Sequence, residues 1–340
     1  MKRYGNIFKD IVDIDNILEA HKQARKDKSH YREVKMVDEN PLLYAMQIKA
    51  MLEDETYSVG EYKHEIINDK GKERELMKLP YYPDRIIQWA IMLQIEKIFL
   101  NKFIDQTCAS MPSRGIHRAW EYMQKYLKDE TGTKYCLKMD VRKFYDSVDQ
   151  KILKQMLAKT FKDEKLLRLL YKIVDSYPKD KGIPIGSYLS QYFGNFYLHT
   201  LDHYIKERLH CRYYVRYMDD MVILANSKDE LRFALNQIQM YLAYYLKLEL
   251  KGNYQIFPTR IRGVDFVGYR FFGEYTLLRK RVAQRFKIKM RRLARQNTFD
   301  NRDLSTICSY IGWLKHCDSY RLRNKYIGGL YERVKKCTRM

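Results

Sequence analysis

The sequence predicts an α+β fold in which helices pack against a sheet. Apolar residues follow Pro83 and Asp84 at helical spacing, whereas β-forming residues fill 134–141 and 211–225. Helical and strand segments alternate through the middle of the chain, which favours a sheet covered by helices. With 340 residues, the chain is long enough for two or three packed subdomains rather than one.

The N-terminal third is predicted to contain helices and one strand pair. Residues 7–55 have a mostly helical pattern, with a polar break near 27–29. Residues 57–80 are typical of two strands joined by a turn at 68–71. The remaining elements, in chain order, are helices after Pro83 and over 120–129, a strand over 134–141, helices over 149–161 and 188–208, a hairpin over 211–225, a helix giving way to a short strand over 229–250, short strands over 254–278 and a basic helical segment over 279–340.

The charge balance points to a polyanionic partner. The chain carries 64 Lys and Arg against 42 Asp and Glu, a formal net charge of +22, and it contains 30 Tyr. Basic residues mixed with aromatic ones suit a groove that follows phosphates and stacks bases. The alternative is a soluble protein that is merely basic.

Other bulk features favour a soluble protein of the cytoplasm that does not enter a membrane. The longest apolar runs are far shorter than a membrane span, and the N-terminus becomes charged too early for a signal peptide. The six Cys form no C-x-x-C pair. We therefore expect neither a zinc site nor a disulfide framework, which fits a reducing compartment.

Two adjacent acids interrupt a β-forming stretch. Asp219 and Asp220 lie within YVRYMDDMVIL (214–224), where a hairpin between two strands would turn. Two close negative charges repel each other, so lysine, arginine or a divalent metal must compensate them. A magnesium ion, with its preference for oxygen ligands, would do this best. The alternative is a polar turn without a ligand, since Asp is common in turns.

A further acid is expected to join this pair. Asp140 ends the predicted strand over 134–141, just before helical sequence. If that strand and the hairpin are neighbours in one sheet, the acids could hold two Mg²⁺ ions about 3.5–4 Å apart for an in-line phosphoryl displacement. Asp146 and Asp149 could instead be simple helix-capping acids.

Several ordered motifs resemble those of reverse transcriptases. YMDD (217–220) is similar to their metal-binding hairpin, and MDVRKFYDSVD (139–149) resembles their first aspartate motif. Matching segments follow the same order along the chain and span roughly 60–275: KGKERELMKLPYYPDRIIQWA (70–90), SMPSRGIHRAW (110–120), GIPIGSYLSQYFGNFYLHTLD (182–202) and GVDFVGYRF (263–271).

Two segments of the chain resemble those of enzymes from diversity-generating retroelements. The form I-G-x-x-x-S-Q over 185–191 is similar to theirs, and SYIGWLKHCDSYRLR (309–323) resembles their thumb. This resemblance implies errors opposite template adenines, and Ile185, which cannot hydrogen-bond through its side chain, is our candidate contributor. Three alternatives are a phage-defence enzyme, a group II-type intron enzyme and a catalytically idle RNA-binding protein.

The resemblance implies a right-hand polymerase with fingers, palm and thumb. The expected divisions are N-terminal helices and fingers over 1–130 with parts of 150–180, a palm with an antiparallel sheet over 131–275, and a helical thumb over 276–340. Expected partners are template RNA and cDNA, deoxynucleoside triphosphates and a basic accessory variability protein, in a bacterial or phage-encoded system.

The resemblance also implies residue roles. Catalysis and two Mg²⁺ ions, for which Mn²⁺ could substitute, are assigned to Asp140, Asp219 and Asp220, with Val141 as a further metal ligand. Nucleotide binding is assigned to Lys63, Arg74, Tyr145, Ile185 and Gly186, and Tyr145 is expected to exclude a ribose 2′-hydroxyl. Template–primer contacts are assigned to Ser113, Arg114, Arg279, Lys280, Arg285 and Lys289.

The basic tail itself supports the last group. Nine Lys or Arg occur between 279 and 295, while Val282, Phe286, Met290 and Leu293 keep one apolar face. Such a helix would follow phosphates and position a duplex without reading its sequence. The alternative is a solvated surface helix.

Overall fold

The computed structural model describes residues 3–69, 72–296, 298–328 and 330. The chain divides into two compact units, each built from three segments. Unit 1 comprises Met1–Pro112, Asp140–His210 and Asn236–Gly252; unit 2 comprises Ser113–Met139, Cys211–Leu235 and Asn253–Met340. The division into fingers, palm and thumb stays a prediction.

The chain contains both helices and antiparallel strand pairs, as expected for the α+β class. The helices are α1 (Phe8–Ile11), α2 (Ile14–Ala24), α3 (Arg32–Glu39), α4 (Pro41–Glu53), α5 (Ile86–Leu100), α6 (Ile116–Leu127), α7 (Phe144–Ser147), α8 (Gln150–Thr160), α9 (Glu164–Asp175), α10 (Tyr188–His203), α11 (Lys228–Tyr241), α12 (Thr259–Arg262), α13 (Lys280–Ala294), α14 (Asn301–Leu314) and α15 (Tyr320–Tyr326). The strands are β1 (Lys63–Asp69), β2 (Lys72–Lys78), β3 (Thr107–Cys108), β4 (Tyr135–Asp140), β5 (Tyr213–Tyr217), β6 (Asp220–Ala225), β7 (Gln255–Pro258), β8 (Val264–Phe266), β9 (Tyr269–Phe271) and β10 (Thr276–Leu278). Wider π-type turns, Tyr204–Arg208 and Leu242–Leu246, continue α10 and α11.

The core of unit 1 is built on two largely buried helices. α5 and α10 carry apolar residues around most of their circumference, a pattern that requires neighbours on every side. Phe99 of α5 is fully buried, and its ring centroid lies 4.8 Å from that of Phe196 on α10. Ser187 caps the start of α10 by accepting a hydrogen bond from the Ser190 N–H.

Unit 2 contains the sheet that carries the aspartate hairpin. β5, β6, β4 and β7 are neighbours in that order, and β5 pairs antiparallel with β6. Asp140, the last residue of β4, belongs to unit 1. α6 is fixed to β5 by the Tyr126 hydroxyl, which donates to the Tyr214 carbonyl over 2.9 Å.

A second sheet and the basic helix complete unit 2. Strands β8, β9 and β10 form an antiparallel sheet in the order β10-β9-β8. Helix α13 buries Phe286, Met290 and Leu293, which confirms the apolar face predicted for this segment. Gly268, at φ 89°, lies so close to the Trp313 ring of α14 that an added Cβ would stand 2.4 Å from Cζ3.

The predicted elements are largely confirmed, with several differences. The short helices α7 and α12 and the strand β3 were not predicted, and α12 interrupts a segment for which only short strands were expected. α9 was missed because its amphipathic residues follow α8 without a glycine or proline to mark a boundary. α6 begins at Ile116, four residues before the predicted start; Gly115, with an extended backbone, is the residue that flanks its N-terminus. Asp69 pairs with Lys72, so the β1–β2 connection is the dipeptide 70–71, which lies outside the described residues. In the described ranges, no helix combines the length and apolar character needed to cross a membrane.

Candidate active site

The β5–β6 hairpin closes with a strained two-residue turn. Tyr217 pairs with Asp220, so the turn consists of Met218 and Asp219, and Asp220 is already the first residue of β6. Met218 has φ 55°, a left-handed conformation that a non-glycine residue adopts at a cost of about 1–2 kcal/mol. Such strain persists only where the surrounding structure fixes the backbone, and it concentrates at functional sites.

A buried arginine supports this turn, and the sequence reasoning missed it. Arg216 of β5 is fully buried, and its Nη1 donates to the Met218 carbonyl over 2.8 Å. A guanidinium inside a core is expensive unless it is bound to acceptors. The signal that could have revealed it is a lone charge between Val215 and Tyr217 in an otherwise β-forming strand.

A lysine contacts Asp220 within unit 2. Nζ of Lys138 on β4 lies 3.3 Å from Oδ2 of Asp220, and both side chains are 27% exposed. The sequence argument required a cation beside the acids without naming one. Burial also raises the pKa of the Cys136 thiol on the same strand, so this cysteine remains neutral and serves as packing.

Asp140 has its own lysine within unit 1. Nζ of Lys251 lies 2.6 Å from Oδ1 of Asp140, and the Lys251 N–H donates to the Asp140 carbonyl over 2.8 Å. Arg142 N–H donates in turn to the carbonyl of Glu249 over 2.8 Å. These two bonds flank the bridge between Val141 and Leu250, so the Val141 carbonyl points away from Leu250.

The donor chemistry fits a hard divalent cation. Asp140 and Asp220 are partly exposed carboxylates, and each is paired with a lysine. Val141 offers a main-chain carbonyl that is directed away from Leu250, its bridge partner. Carboxylate and carbonyl oxygens are the ligands that Mg²⁺ prefers. In the part of the chain that the structure describes, no three His, Cys, Asp or Glu side chains are grouped to hold a metal ion. The convergence of Asp140 with Asp219 and Asp220 therefore stays a prediction.

The hydroxyl of Tyr145 lies near Gly194 of α10. An added Cβ on Gly194 would lie 3.7 Å from the Tyr145 hydroxyl. The Tyr145 carbonyl accepts the Ile183 N–H over 2.9 Å, which ties this residue to the 182–186 loop. Burial and the nearby Asp146 carboxylate raise the pKa of Tyr177 beside this loop to about 12, so its hydroxyl keeps its proton at neutral pH.

The same loop holds the β1–β2 hairpin. The Ile185 carbonyl accepts the Met77 N–H of β2 over 2.9 Å. Gly186 has φ 115°, and a Cβ there would approach the Met77 carbonyl to 3.3 Å, so glycine is required. Within unit 1, Tyr145 of α7 is thus bonded to the loop that carries Ile185 and Gly186, and the Ile185 side chain is half-buried.

Lys63 and Arg74 both lie on this hairpin. Lys63, the first residue of β1, is exposed and pairs with Lys78, while Arg74 pairs with Ile67 further along. The Arg74 side chain lies outside the described part of the chain. Their contact with a nucleotide stays a prediction.

The predicted template–primer residues have different surroundings, and all lie in unit 2. Ser113, at φ 59°, and the half-buried Arg114 precede α6. Arg279 immediately precedes α13 and is not part of the helix. Its guanidinium pairs with the carboxylate of Asp265. Lys280, Arg285 and Lys289 are exposed on α13.

Comparison with known families identifies the chain. A family model described as "Reverse transcriptase (RNA-dependent DNA polymerase)" matches residues 63–270, more than half of the sequence. The chain belongs to the reverse transcriptase family. The matched range runs from the start of β1 to β9 and includes both aspartate segments.

Two relatives show how far this family membership extends. Protein YkfC of Escherichia coli (strain K12) is 24% identical over 258 residues, covering 64% of this chain and 66% of YkfC. Group II intron-encoded protein LtrA of Lactococcus lactis subsp. cremoris is 22% identical over 289 residues, covering 64% of this chain and 48% of LtrA. The chain therefore spans between about half and just under two thirds of these relatives.

A solved structure supports the fold class. The telomerase from Candida albicans, in a complex with the TWJ fragment of telomeric RNA, matches with a TM-score of 0.50 and 11% identity. The match covers 75% of this chain and 56% of that chain. At this identity the similarity concerns the fold alone, and it confirms the predicted α+β class of right-hand polymerases.

Proposed function

We propose that the protein is an RNA-directed DNA polymerase that copies a template RNA into cDNA. The observation that carries this proposal is the family match over 63–270, which contains Asp140 and the strained aspartate hairpin. Family membership alone would also fit an idle RNA-binding protein. The intact carboxylates of Asp140, Asp219 and Asp220 argue against idleness, because an idle protein would not need this set of oxygen ligands.

The proposed metal ligands are Asp140, Asp219 and Asp220, with the Val141 carbonyl. Bound Mg²⁺ or Mn²⁺ would lower the pKa of the attacking 3′-hydroxyl and neutralise charge on the leaving pyrophosphate. The part played by the chain is to hold oxygen donors in place. Lys138 and Lys251 keep the carboxylates compensated before the cation enters.

Substrate choice is proposed to rest on Tyr145. A bulky ring under the sugar would exclude the 2′-hydroxyl by contact. Tyr145→Ala should therefore raise incorporation of ribonucleotides relative to deoxynucleotides by about 10-fold or more, measured with single-nucleotide extension. Equal discrimination in the variant and the wild type would remove Tyr145 from this role.

Nucleic acid is proposed to lie along α13. Its apolar residues are buried in unit 2, while Lys280, Arg285 and Lys289 remain exposed on its outer side. Phosphate contacts of this kind release counterions, so affinity for a template–primer duplex should fall steeply as salt rises. Arg279 would first have to leave Asp265.

The finer proposal is an error-prone enzyme of a diversity-generating retroelement, acting in mutagenic retrohoming with a basic accessory protein in the cytoplasm. The I-G-x-x-x-S-Q sequence over 185–191 supports it, and so does the half-buried Ile185 side chain on the loop that is hydrogen-bonded to Tyr145. The second candidate is a group II-type intron enzyme, favoured by the similarity to LtrA.

One experiment separates these functions. The purified protein receives Mg²⁺, four deoxynucleotides and a primed RNA with all four bases, and the cDNA is sequenced; the Asp219→Ala/Asp220→Ala protein is the negative control. Errors concentrated opposite template adenines support the diversity-generating assignment, and Ile185→Gln should reduce them. Accurate cDNA supports the intron-type enzyme, and equal cDNA from the double variant would expose a contaminant.

A further inference from the structure

Lys138 lies between two acceptors of unit 2. Besides its contact with Asp220 Oδ2 at 3.3 Å, its Nζ donates a hydrogen bond to the main-chain carbonyl of Asp265 in β8. Only about a quarter of the Lys138 side chain is exposed. An ammonium with two oxygen acceptors and little exposure has few alternative rotamers, so it fixes its two partners relative to each other.

The contacts continue from β8 to the start of α13. Nε of Arg279 donates to the Asp265 carboxylate, and the Arg279 N–H donates to the Gly268 carbonyl over 2.9 Å. Asp220, Lys138, Asp265 and Arg279 thus form a row of contacts in which two ion pairs are joined through the main-chain carbonyl of Asp265. We call this row the β6–α13 ion chain. It joins the aspartate hairpin to the basic helix entirely within unit 2.

The β6–α13 ion chain is poorly suited to a purely stabilising role. The Asp265 side chain is 47% exposed and that of Arg279 is 33% exposed. Ion pairs with this exposure contribute little to stability because solvent screens them. What they supply is geometry, since a carboxylate held through one oxygen by a fixed ammonium keeps one orientation.

We propose that Lys138 is a positioning residue that orients the Asp220 carboxylate, joins it to the start of α13 and lowers the affinity of the hairpin for a divalent cation. This inference rests on the proposed function. The ammonium repels a second cation that approaches the same acid. Its removal should therefore strengthen metal binding and yet slow the reaction, whereas a folding defect would weaken both.

The test compares neutral and charged replacements in the full-length protein. Lys138→Met removes the charge, and Lys138→Gln removes it while keeping a hydrogen-bond donor for the Asp265 carbonyl. Lys138→Arg restores the charge. Lys154→Met is the matched control, because Lys154 is also 27% exposed and contacts Asp175 at 2.6 Å in unit 1.

Three quantities are measured for each protein: the Mn²⁺ dissociation constant by electron paramagnetic resonance, the single-turnover rate of primer extension, and the thermal unfolding midpoint. In both neutral variants the Mn²⁺ dissociation constant should fall by about 3- to 10-fold, as expected from loss of a nearby positive charge. The extension rate should fall by about 10-fold or more. Lys138→Arg should recover most of the rate, and the control should match the wild type.

The link to α13 has its own test in Arg279→Met. If the β6–α13 ion chain acts as one unit, Lys138→Met/Arg279→Met should lose no more extension rate than Lys138→Met alone at saturating template–primer, where a weakened phosphate contact of Arg279 does not limit the rate. Additive losses would overturn the link to α13.

Failure of this inference can be told apart from failure of the proposed function. A wild-type protein that extends no primer overturns the function, and the Mn²⁺ comparison then decides the role of Lys138 by itself. Unchanged or weaker Mn²⁺ binding in Lys138→Gln overturns the proposed lowering of metal affinity, and an unchanged extension rate overturns the positioning role. If Lys138→Met does not fold, Lys138→Gln and Lys138→Arg still provide the comparison.

Discussion

The two long hairpins of this chain are built on opposite principles. In β5–β6 the strand interiors are buried, and Arg216 and the core around it hold a strained turn at Met218. In β1–β2 most described side chains are exposed, Ile66 to 72%, and cross-strand contacts such as the ion pair between Lys78 and Glu65 line its surface. Buried side chains hold the β5–β6 hairpin, whereas contacts between exposed side chains line the β1–β2 hairpin.

This difference indicates what each hairpin can do. A turn enclosed by packed strands keeps its aspartates in one geometry, as metal ligands require. A hairpin with few buried contacts opens at a lower free energy, which suits a segment that moves when a nucleotide binds. The anchor of β1–β2 is narrow: Met77 is buried, and its N–H bonds to Ile185.

The largest expected effect is at the tip of the fixed hairpin. Asp219→Asn keeps the turn but removes the charge of a proposed metal ligand, so the rate of DNA synthesis should fall by about 10³-fold or more in primer extension. Asp229→Asn, on an acid of α11 that is 87% exposed, is the matched control. An Asp219→Asn protein with near-normal turnover would remove the hairpin from the chemistry.

The next largest effect is expected at Arg216, which hydrogen-bonds to the turn of the β5–β6 hairpin. Arg216→Ala leaves a cavity and unpaired acceptors, which should lower the free energy of unfolding by about 3–5 kcal/mol in urea denaturation. Arg232→Ala, at a side chain that is 64% exposed, should change it by less than about 0.5 kcal/mol. Equal stability in the two variants would contradict a core-fixed hairpin.

A smaller effect is expected at the anchor of the β1–β2 hairpin. Gly186→Ala forces a side chain into a positive-φ position beside the Met77 carbonyl, which should destabilise the protein by about 1–2 kcal/mol and raise KM for nucleotides. Gly312→Ala, inside α14 with open space around its Cα, should instead stabilise by about 0.5–1 kcal/mol. Stabilisation by both changes would mean that the loop at Gly186 is not constrained.

The smallest structural effect belongs to the exposed hairpin itself. Lys63→Ala should change the free energy of unfolding by less than about 0.5 kcal/mol, because the side chain is exposed. If Lys63 holds the triphosphate, KM for nucleotides should still rise by several-fold while turnover changes little, as uniform binding is lost. An unchanged KM would make Lys63 a solvated surface lysine.

Sequence reasoning performed differently on the two hairpins. The strands, the position of the aspartate turn and the apolar face of α13 could be read from local patterns, because burial follows periodicity. The role of Arg216 could not, since a single arginine in a strand is usually exposed and only its neighbours decide otherwise. Lys138 and Lys251 likewise look like ordinary lysines in the sequence.

Local patterning and ordered motifs thus determined the α+β class, the reverse transcriptase family and the candidate acids, because both depend on residue type and spacing along one chain. The tertiary structure decided which cation meets which acid: Lys251 meets Asp140, Lys138 meets Asp220, and Arg279 turns to Asp265. These contacts join residues as far as 111 positions apart. Such pairings depend on how strands and loops are brought together in three dimensions, and no local pattern encodes them.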